Sequence, residues 1–150
     1  MNRIGLATGV AVLLAAPLTL HAQLPLSTQT PGKATKATVE QLCAADFTPK
    51  PLSKRQITEA FAAYGMANKP GDRVIDQLIP ANLGGSDDLD NLWPQAPKGQ
   101  WSAETKDQLE AKLHEMVCGG KITLKEAQKL IRENWVKAYQ EYIAPSANTK

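Results

Sequence analysis

The chain has 150 residues, of which 43% are hydrophobic and 21% are charged, and its formal net charge is +2. This length fits one domain with a modest core, and the near-neutral charge neither favours nor excludes nucleic acid as a partner. The charge is unevenly distributed: residues 23–73 carry +3, residues 74–95 carry −4 and residues 96–150 carry +2. An acidic segment therefore lies between two mildly basic segments.

Residues 1–22 have the composition of a secretory signal peptide. Arg3 supplies a positive charge, an apolar uncharged run follows, and Leu20-His21-Ala22 is a small-residue cleavage site. A membrane anchor is the alternative, but the apolar run is short and contains a glycine and a proline. We expect an exported protein, periplasmic or secreted, with no membrane span after cleavage.

The mature chain would contain two cysteines and one histidine, which limits the possible chemistry. Cys43 and Cys118 are an even number in an exported chain, which favours a disulfide, with two free buried thiols as the alternative. Such a bond would contribute about 4–5 kcal/mol in the loop-entropy model. Because His114 is the only histidine left, sites that need two histidines are excluded.

The predicted elements follow in chain order. Residues 23–40 are rich in Pro, Ser, Thr, Gln and Lys and predict a flexible leader before a single domain over 41–143. Ser53 is a plausible N-cap for a helix that ends near Tyr64. Residues 73–79 are rich in strand-forming side chains, and residues 91–93 predict a short return strand that Pro94 ends.

Two further helices complete the prediction. Ser102 predicts the N-cap of a helix to about Val117, and Thr123 with Glu126 predicts a capping box that opens the last helix. Residues 144–150 resemble a frayed tail. The fold class that follows is α+β: a small, mainly helical domain around a ββα unit over residues 73–118.

The ββα unit contains the groups best suited to chemistry. Asp76 lies near the end of the first strand, and His114 lies on the helix with Asp107 and Glu110 on nearly the same face. A carboxylate from the hairpin and an imidazole from the helix could meet at one divalent ion. Such ligands suit hydrolytic metals such as Mg²⁺, Mn²⁺ or Zn²⁺.

Two stretches of this unit, "IDQLIPANLGGSDDLDNLWPQ" and "KDQLEAKLHEMVC", resemble the HNH endonuclease family. The closer likeness is to small exported HNH-type proteins with the patterns DHLIPLxLGGSxxxxNLWPQ and KDxLExxLHxxVC. The likeness covers Asp76 to Cys118, roughly a third of the chain. It implies a ββα-metal finger that uses one divalent metal ion to hydrolyse nucleic acid.

Carried over by position, the resemblance implies that Asp76 and His114 are metal ligands and that Asn91 organises the site. The general-base histidine of that family is replaced by Gln77. An amide cannot accept a proton at neutral pH, and general-base catalysis is typically worth about 10²–10⁴-fold. We therefore expect a weakened or altered endonuclease, with a catalytically inactive binding or structural module of the cell envelope as the alternative.

The expected partner is nucleic acid, bound without sequence specificity because no base-reading element is recognisable. Lys54, Arg55 and Arg73 are candidate phosphate contacts, although an ordinary solvated basic surface is the simpler interpretation. The carboxylates of Asp87, Asp88 and Asp90 could supply a substitute base, or they could belong to a solvated loop.

Overall fold

The computed structural model describes residues 24–67 and 71–144, which form a small, mainly helical α+β domain. The predicted signal peptide and all but the first residue of the predicted tail lie outside these ranges. Within them the helices and strands are α1 (Val39–Leu42), α2 (Lys54–Ala63), β1 (Val74–Gln77), β2 (Leu92–Gln95), α3 (Ala103–Cys118) and α4 (Leu124–Tyr142). No helix of the described part of the chain is both long enough and apolar enough to span a membrane.

Strands β1 and β2 form an antiparallel pair in which Asp76 lies opposite Trp93. The prediction that Pro94 ends the return strand is wrong, because Pro94 lies inside β2 and pairs with Ile75. A two-stranded sheet leaves each strand one free edge, so a residue without an N–H can be accommodated there. Two short 3₁₀ turns, Ala81–Leu83 and Leu89–Asn91, connect the strands.

Helices α2, α3 and α4 begin at the predicted caps. The side chains of Ser53, Ser102 and Thr123 each accept a hydrogen bond from the backbone N–H three residues later. Helix α4 also contains a kink at Asn134, whose backbone is non-helical (φ −165°, ψ 88°). The Asn134 Oδ1 accepts a hydrogen bond from Lys137 N at 2.9 Å, so this side chain caps the second half of the helix.

The core lies where α3 and α4 pack against each other and against the hairpin. Its fully buried side chains include Leu78, Ile79, Leu83, Trp93, Leu109, Leu113, Ile131 and Trp135. The apolar stripe of α3 lies in this core, and Lys106, which continues the stripe, lies 2.9 Å from Asp76 of β1.

The described part of the predicted flexible leader, residues 24–40, packs against the domain instead. Thr30 is only 1% exposed, and its hydroxyl donates to Leu92 O at 2.8 Å. Farther along, Thr35 N donates to Gly84 O at 2.7 Å, and Ala34 forms a β-bridge with Gly85. These contacts are hydrogen bonds from backbone and hydroxyl groups. Such bonds need no regular spacing of apolar residues, so the sequence of this segment gives no sign of them.

Candidate metal centre

Lys106 lies completely buried where α3 packs against β1. Its ammonium is 2.9 Å from Asp76 Oδ2, forms an ion pair with Glu110, and donates to Gln77 O at 2.6 Å. An ammonium has three N–H donors, and here each has an oxygen neighbour. Lys106 therefore fixes the carboxylates of β1 and α3 relative to each other.

Three carboxylates converge around this lysine. Oxygen atoms of Asp76, Asp107 and Glu110 all lie within 4.8 Å of one another, and we call this set the carboxylate cluster. Asp107 is exposed, whereas Asp76 and Glu110 are partly buried, so the cluster is open to solvent on the Asp107 side. When all three are ionised, one ammonium leaves two negative charges without compensation.

The proton affinities of the cluster reflect burial first and the charges of its neighbours second. Burial raises the pKa of Glu110 to about 7; the repulsion from Asp76 adds to this, and the attraction of Lys106 opposes it. Burial, followed by the charge of Asp76, also raises the pKa of Asp107. Burial lowers the pKa of Lys106, but the two carboxylates together raise it above its ordinary value, so the lysine stays charged.

His114 does not join this cluster. Its Nε2 lies 3.0 Å from Leu42 O, and because a carbonyl can only accept, the imidazole donates there. The same atom is 3.4 Å from Cys118 Sγ. Among the described residues, no set of three potential ligand atoms within 4.8 Å combines His114 with Asp76. The structure thus groups Asp76 and His114, which were predicted as a pair of metal ligands, with different potential ligands.

The helix geometry explains this separation. Glu110 and His114 are four residues apart, which is about 6 Å along a helix axis. Strand β1 meets α3 at the level of Lys106 and Glu110, whereas the segment around Cys43 meets α3 one turn later. The helical spacing of Glu110 and His114 puts both side chains on one face of α3. The element that packs against α3 differs from one turn to the next.

The predicted disulfide is confirmed. Cys43 and Cys118 are bonded, with their Cα atoms 5.6 Å apart and a sequence separation of 75. The bond ties the segment after α1 to the C-terminal end of α3, directly beside His114.

Gln77 occupies the position where the resemblance places a general base, and both ends of its amide are held. Its Nε2 donates to Asp87 Oδ1 at 2.7 Å, and Ala81 N donates to its Oε1 at 3.1 Å. Its backbone carbonyl accepts from Lys106. The side chain therefore braces the loop after β1 and offers no site that could accept a proton.

Asn91 is fully buried and organises the same loop. Its Oδ1 accepts from Ile79 N at 2.9 Å, and its Nδ2 donates to Ile79 O and Ser86 O, both at 2.8 Å. A Cβ at Gly85 would lie 1.7 Å from Ile79 O, so only glycine fits at this close approach. Asn91 thus fixes the backbone of Ile79, two residues after Gln77. Gln77 itself directly follows Asp76, which belongs to the carboxylate cluster.

The predicted phosphate contacts are spread over two elements. Lys54 and Arg55 lie in the first turn of α2, and Arg55 Nε is 2.7 Å from Glu59. Arg73 lies exposed immediately before β1.

Of the loop carboxylates, Asp87 accepts a hydrogen bond from Gln77, whereas Asp88 lies 2.8 Å from Lys33 Nζ. Two of the three loop carboxylates, those of Asp87 and Asp88, thus have structural partners.

The role of Lys106 was not predicted from the sequence. A usable signal existed, because Lys106 lies three residues before Leu109 and continues the buried stripe of Leu109, Leu113 and Val117. A lysine on a buried stripe requires paired carboxylates nearby, since an unpaired buried charge is very costly. Glu110, one turn later, was one such partner, and Asp76 is the other.

The residues present fit a hard divalent cation at the cluster. Three carboxylates supply oxygen ligands, which Mg²⁺ and Mn²⁺ prefer, and their two uncompensated charges match the charge of such an ion. His114 and the two sulfurs are not part of this donor set. No family model, curated protein or solved structure matches this chain.

Proposed function

We propose that this chain is an exported HNH-like endonuclease of low activity that hydrolyses nucleic-acid phosphodiesters with one divalent metal ion. The observation that supports it best is the convergence of Asp76, Asp107 and Glu110 on one open corner between β1 and α3. The chain order β1, β2, α3 agrees with the ββα arrangement that the sequence resemblance implies. The disulfide agrees with export, and the proposed signal peptide lies outside the described residues.

In this proposal Asp76, Asp107 and Glu110 hold the ion. A bound Mg²⁺ or Mn²⁺ supplies Lewis-acid stabilisation of the phosphate and acidifies a bound water. This assignment replaces the pair of Asp76 and His114, because His114 is engaged with Leu42 O and the disulfide.

The chain's own residues limit the rate. Lys106 acts as a positioning residue, since its ammonium holds Asp76 and Glu110 at a fixed separation. Gln77 offers no proton acceptor where the family has its base, and its amide is fixed by Asp87 and Ala81. Loss of a general base costs about 10²–10⁴-fold in rate, so slow hydrolysis is expected rather than none.

A second candidate function is a non-hydrolytic binding or structural module of the cell envelope. The hydrogen bonding of Gln77 favours it, because an amide that braces the loop has a structural role of its own. Both candidates use the same fold, so only activity can separate them.

The experiment is a cleavage assay on plasmid DNA and on structured RNA, with Mg²⁺ and with Mn²⁺. The proteins are wild type, Glu110→Gln, Gln77→His and His114→Ala, where His114→Ala is the matched control on the same helix stripe. We expect slow metal-dependent cleavage by wild type, loss in Glu110→Gln, retention in His114→Ala and faster cleavage in Gln77→His. If neither wild type nor Gln77→His cleaves either substrate, the nuclease proposal is wrong and the binding module is favoured.

A further inference from the structure

A second group of potential ligands lies one turn beyond the carboxylate cluster. Cys43 Sγ, Cys118 Sγ and a ring nitrogen of His114 lie within 4.8 Å of one another, and we call this set the sulfur corner. It contains thiol and imidazole groups, which bind Zn²⁺ and other soft or borderline ions. None of these three residues takes part in the proposed hydrolysis.

We infer that the sulfur corner is a redox-controlled metal site: oxidised, it is a disulfide, and reduced, it binds one Zn²⁺ through Cys43, His114 and Cys118. Zinc replaces the covalent link, because each form ties the segment after α1 to the same turn of α3. The metal therefore takes over a structural connection that reduction would otherwise remove.

The distances suit this exchange. Zn–S bonds near 2.3 Å and Zn–N bonds near 2.0 Å put tetrahedral S and N ligands about 3.5 Å apart. Cys118 Sγ and His114 Nε2 are already 3.4 Å apart. On reduction the two sulfurs would have to separate to about 3.8 Å through rotation of their side chains, whose Cα atoms are 5.6 Å apart.

The surroundings favour a cation at this position. Cys118 is the last residue of α3, and the carbonyl end of a helix carries a partial negative charge. Leu42 O lies 3.0 Å from His114 Nε2 and adds a second source of negative potential. Metal binding through Nε2 needs the tautomer protonated on Nδ1, so the hydrogen bond to Leu42 O is exchanged for the metal bond. The fourth position is left to water, as in three-ligand zinc sites.

The chemistry balances with a dithiol as the reductant. Two electrons and two protons pass to the sulfurs, the S–S bond breaks, and the dithiol closes to its own disulfide. Zinc then binds the two thiolates and the neutral imidazole, and the two thiol protons leave to solvent.

The test uses the full mature chain, with the disulfide intact or reduced by a dithiol that is then removed under anaerobic conditions. Co²⁺ serves as a spectroscopic probe, since its thiolate charge-transfer absorption reports only sulfur-ligated metal. Zn²⁺ affinity is measured by displacement of Co²⁺. The variants are His114→Ala and, as the matched control on α3, Lys112→Ala; circular dichroism follows the folded state throughout.

We expect the reduced wild type to bind one Co²⁺ with thiolate absorption, Zn²⁺ to displace it, and the oxidised protein to show no such absorption. His114→Ala should weaken binding by more than about 100-fold, because losing a ligand exceeds the roughly 10–100-fold cost of losing an outer partner. Lys112→Ala should bind as wild type does. Equal affinities of wild type and His114→Ala would overturn the inference, as would a reduced chain that stays unfolded when zinc is added.

Discussion

The two ends of α3 present different ligand groups on one helical stripe. Near its start, Asp107 and Glu110 join Asp76 in an oxygen-only cluster built around a buried ammonium. At its end, His114 and Cys118 join Cys43 in a sulfur and nitrogen group. The difference teaches that helical spacing decides which residues share a face, whereas the element packed against each turn decides which residues share a site.

Replacing Lys106 should produce the largest loss of unfolding free energy at the carboxylate cluster. Lys106→Met leaves Asp76 and Glu110 buried without their counter-charge, and breaking a buried pair in this way costs about 3–5 kcal/mol. The measurement is the free energy of unfolding in urea at pH 8. Mn²⁺ should recover part of the loss, because the ion supplies the missing positive charge.

Lys112→Met is the matched control. Lys112 lies on the same helix, its side chain is 35% exposed, and its ion-pair partner among the described residues is Glu115 at 3.2 Å. An exposed pair of this kind contributes little, so the change should stay below about 0.5 kcal/mol. Similar losses in both variants would mean that Lys106 does not hold the carboxylate cluster together.

Removing the disulfide tests the second end. The double variant Cys43→Ser with Cys118→Ser opens a loop of 75 residues, and we expect a loss of about 4–5 kcal/mol in unfolding free energy from the loop-entropy model. Mn²⁺ affinity should not change, because the carboxylate cluster uses a different turn of α3. A parallel loss of Mn²⁺ binding in protein that is still folded would show that the two ends are not independent.

The pH dependence of the unfolding free energy should come from the carboxylate cluster, and it should be smaller than the effects of the Lys106 and cysteine substitutions. The pKa of Glu110 is raised from 4.5 to about 7, so the folded state binds this proton more tightly than the unfolded chain does. Its contribution is fully present below pH 4.5 and is lost as the pH rises through 7, which amounts to a decrease on the order of 2 kcal/mol.

This decrease should be measured between pH 5 and pH 8 in metal-free buffer. Glu110→Gln should flatten the dependence, and excess Mn²⁺ should reduce it in wild type by favouring the ionised carboxylate. A decrease of the same size in Glu110→Gln would assign the pH dependence to another group.

Local features were predictable from the sequence, and long-range pairings were not. The caps at Ser53, Ser102 and Thr123 follow from bonds that span three residues, so short patterns reveal them. The disulfide followed from having only two cysteines. The kink at Asn134 depends on a local competition between cap and helix that a periodic pattern does not resolve.

The site was predicted only in part. Asp76, Asp107 and Glu110 were all singled out, but Asp76 was paired with His114, because no local pattern encodes how far β1 extends along α3. The ion pair between Asp76 and Lys106 joins residues 30 positions apart and could be inferred only from the burial of a lysine. The packing of residues 24–40 was missed because hydroxyl and backbone hydrogen bonds, such as that of Thr30, leave no apolar period.

The most direct test of the central claim is a calorimetric titration of Mn²⁺ into the oxidised protein at pH 8, comparing wild type, Glu110→Gln and His114→Ala. The carboxylate cluster predicts one site in wild type, binding at least about tenfold weaker in Glu110→Gln, and unchanged binding in His114→Ala. Unchanged binding in Glu110→Gln together with loss in His114→Ala would contradict the assignment and restore the histidine as the ligand.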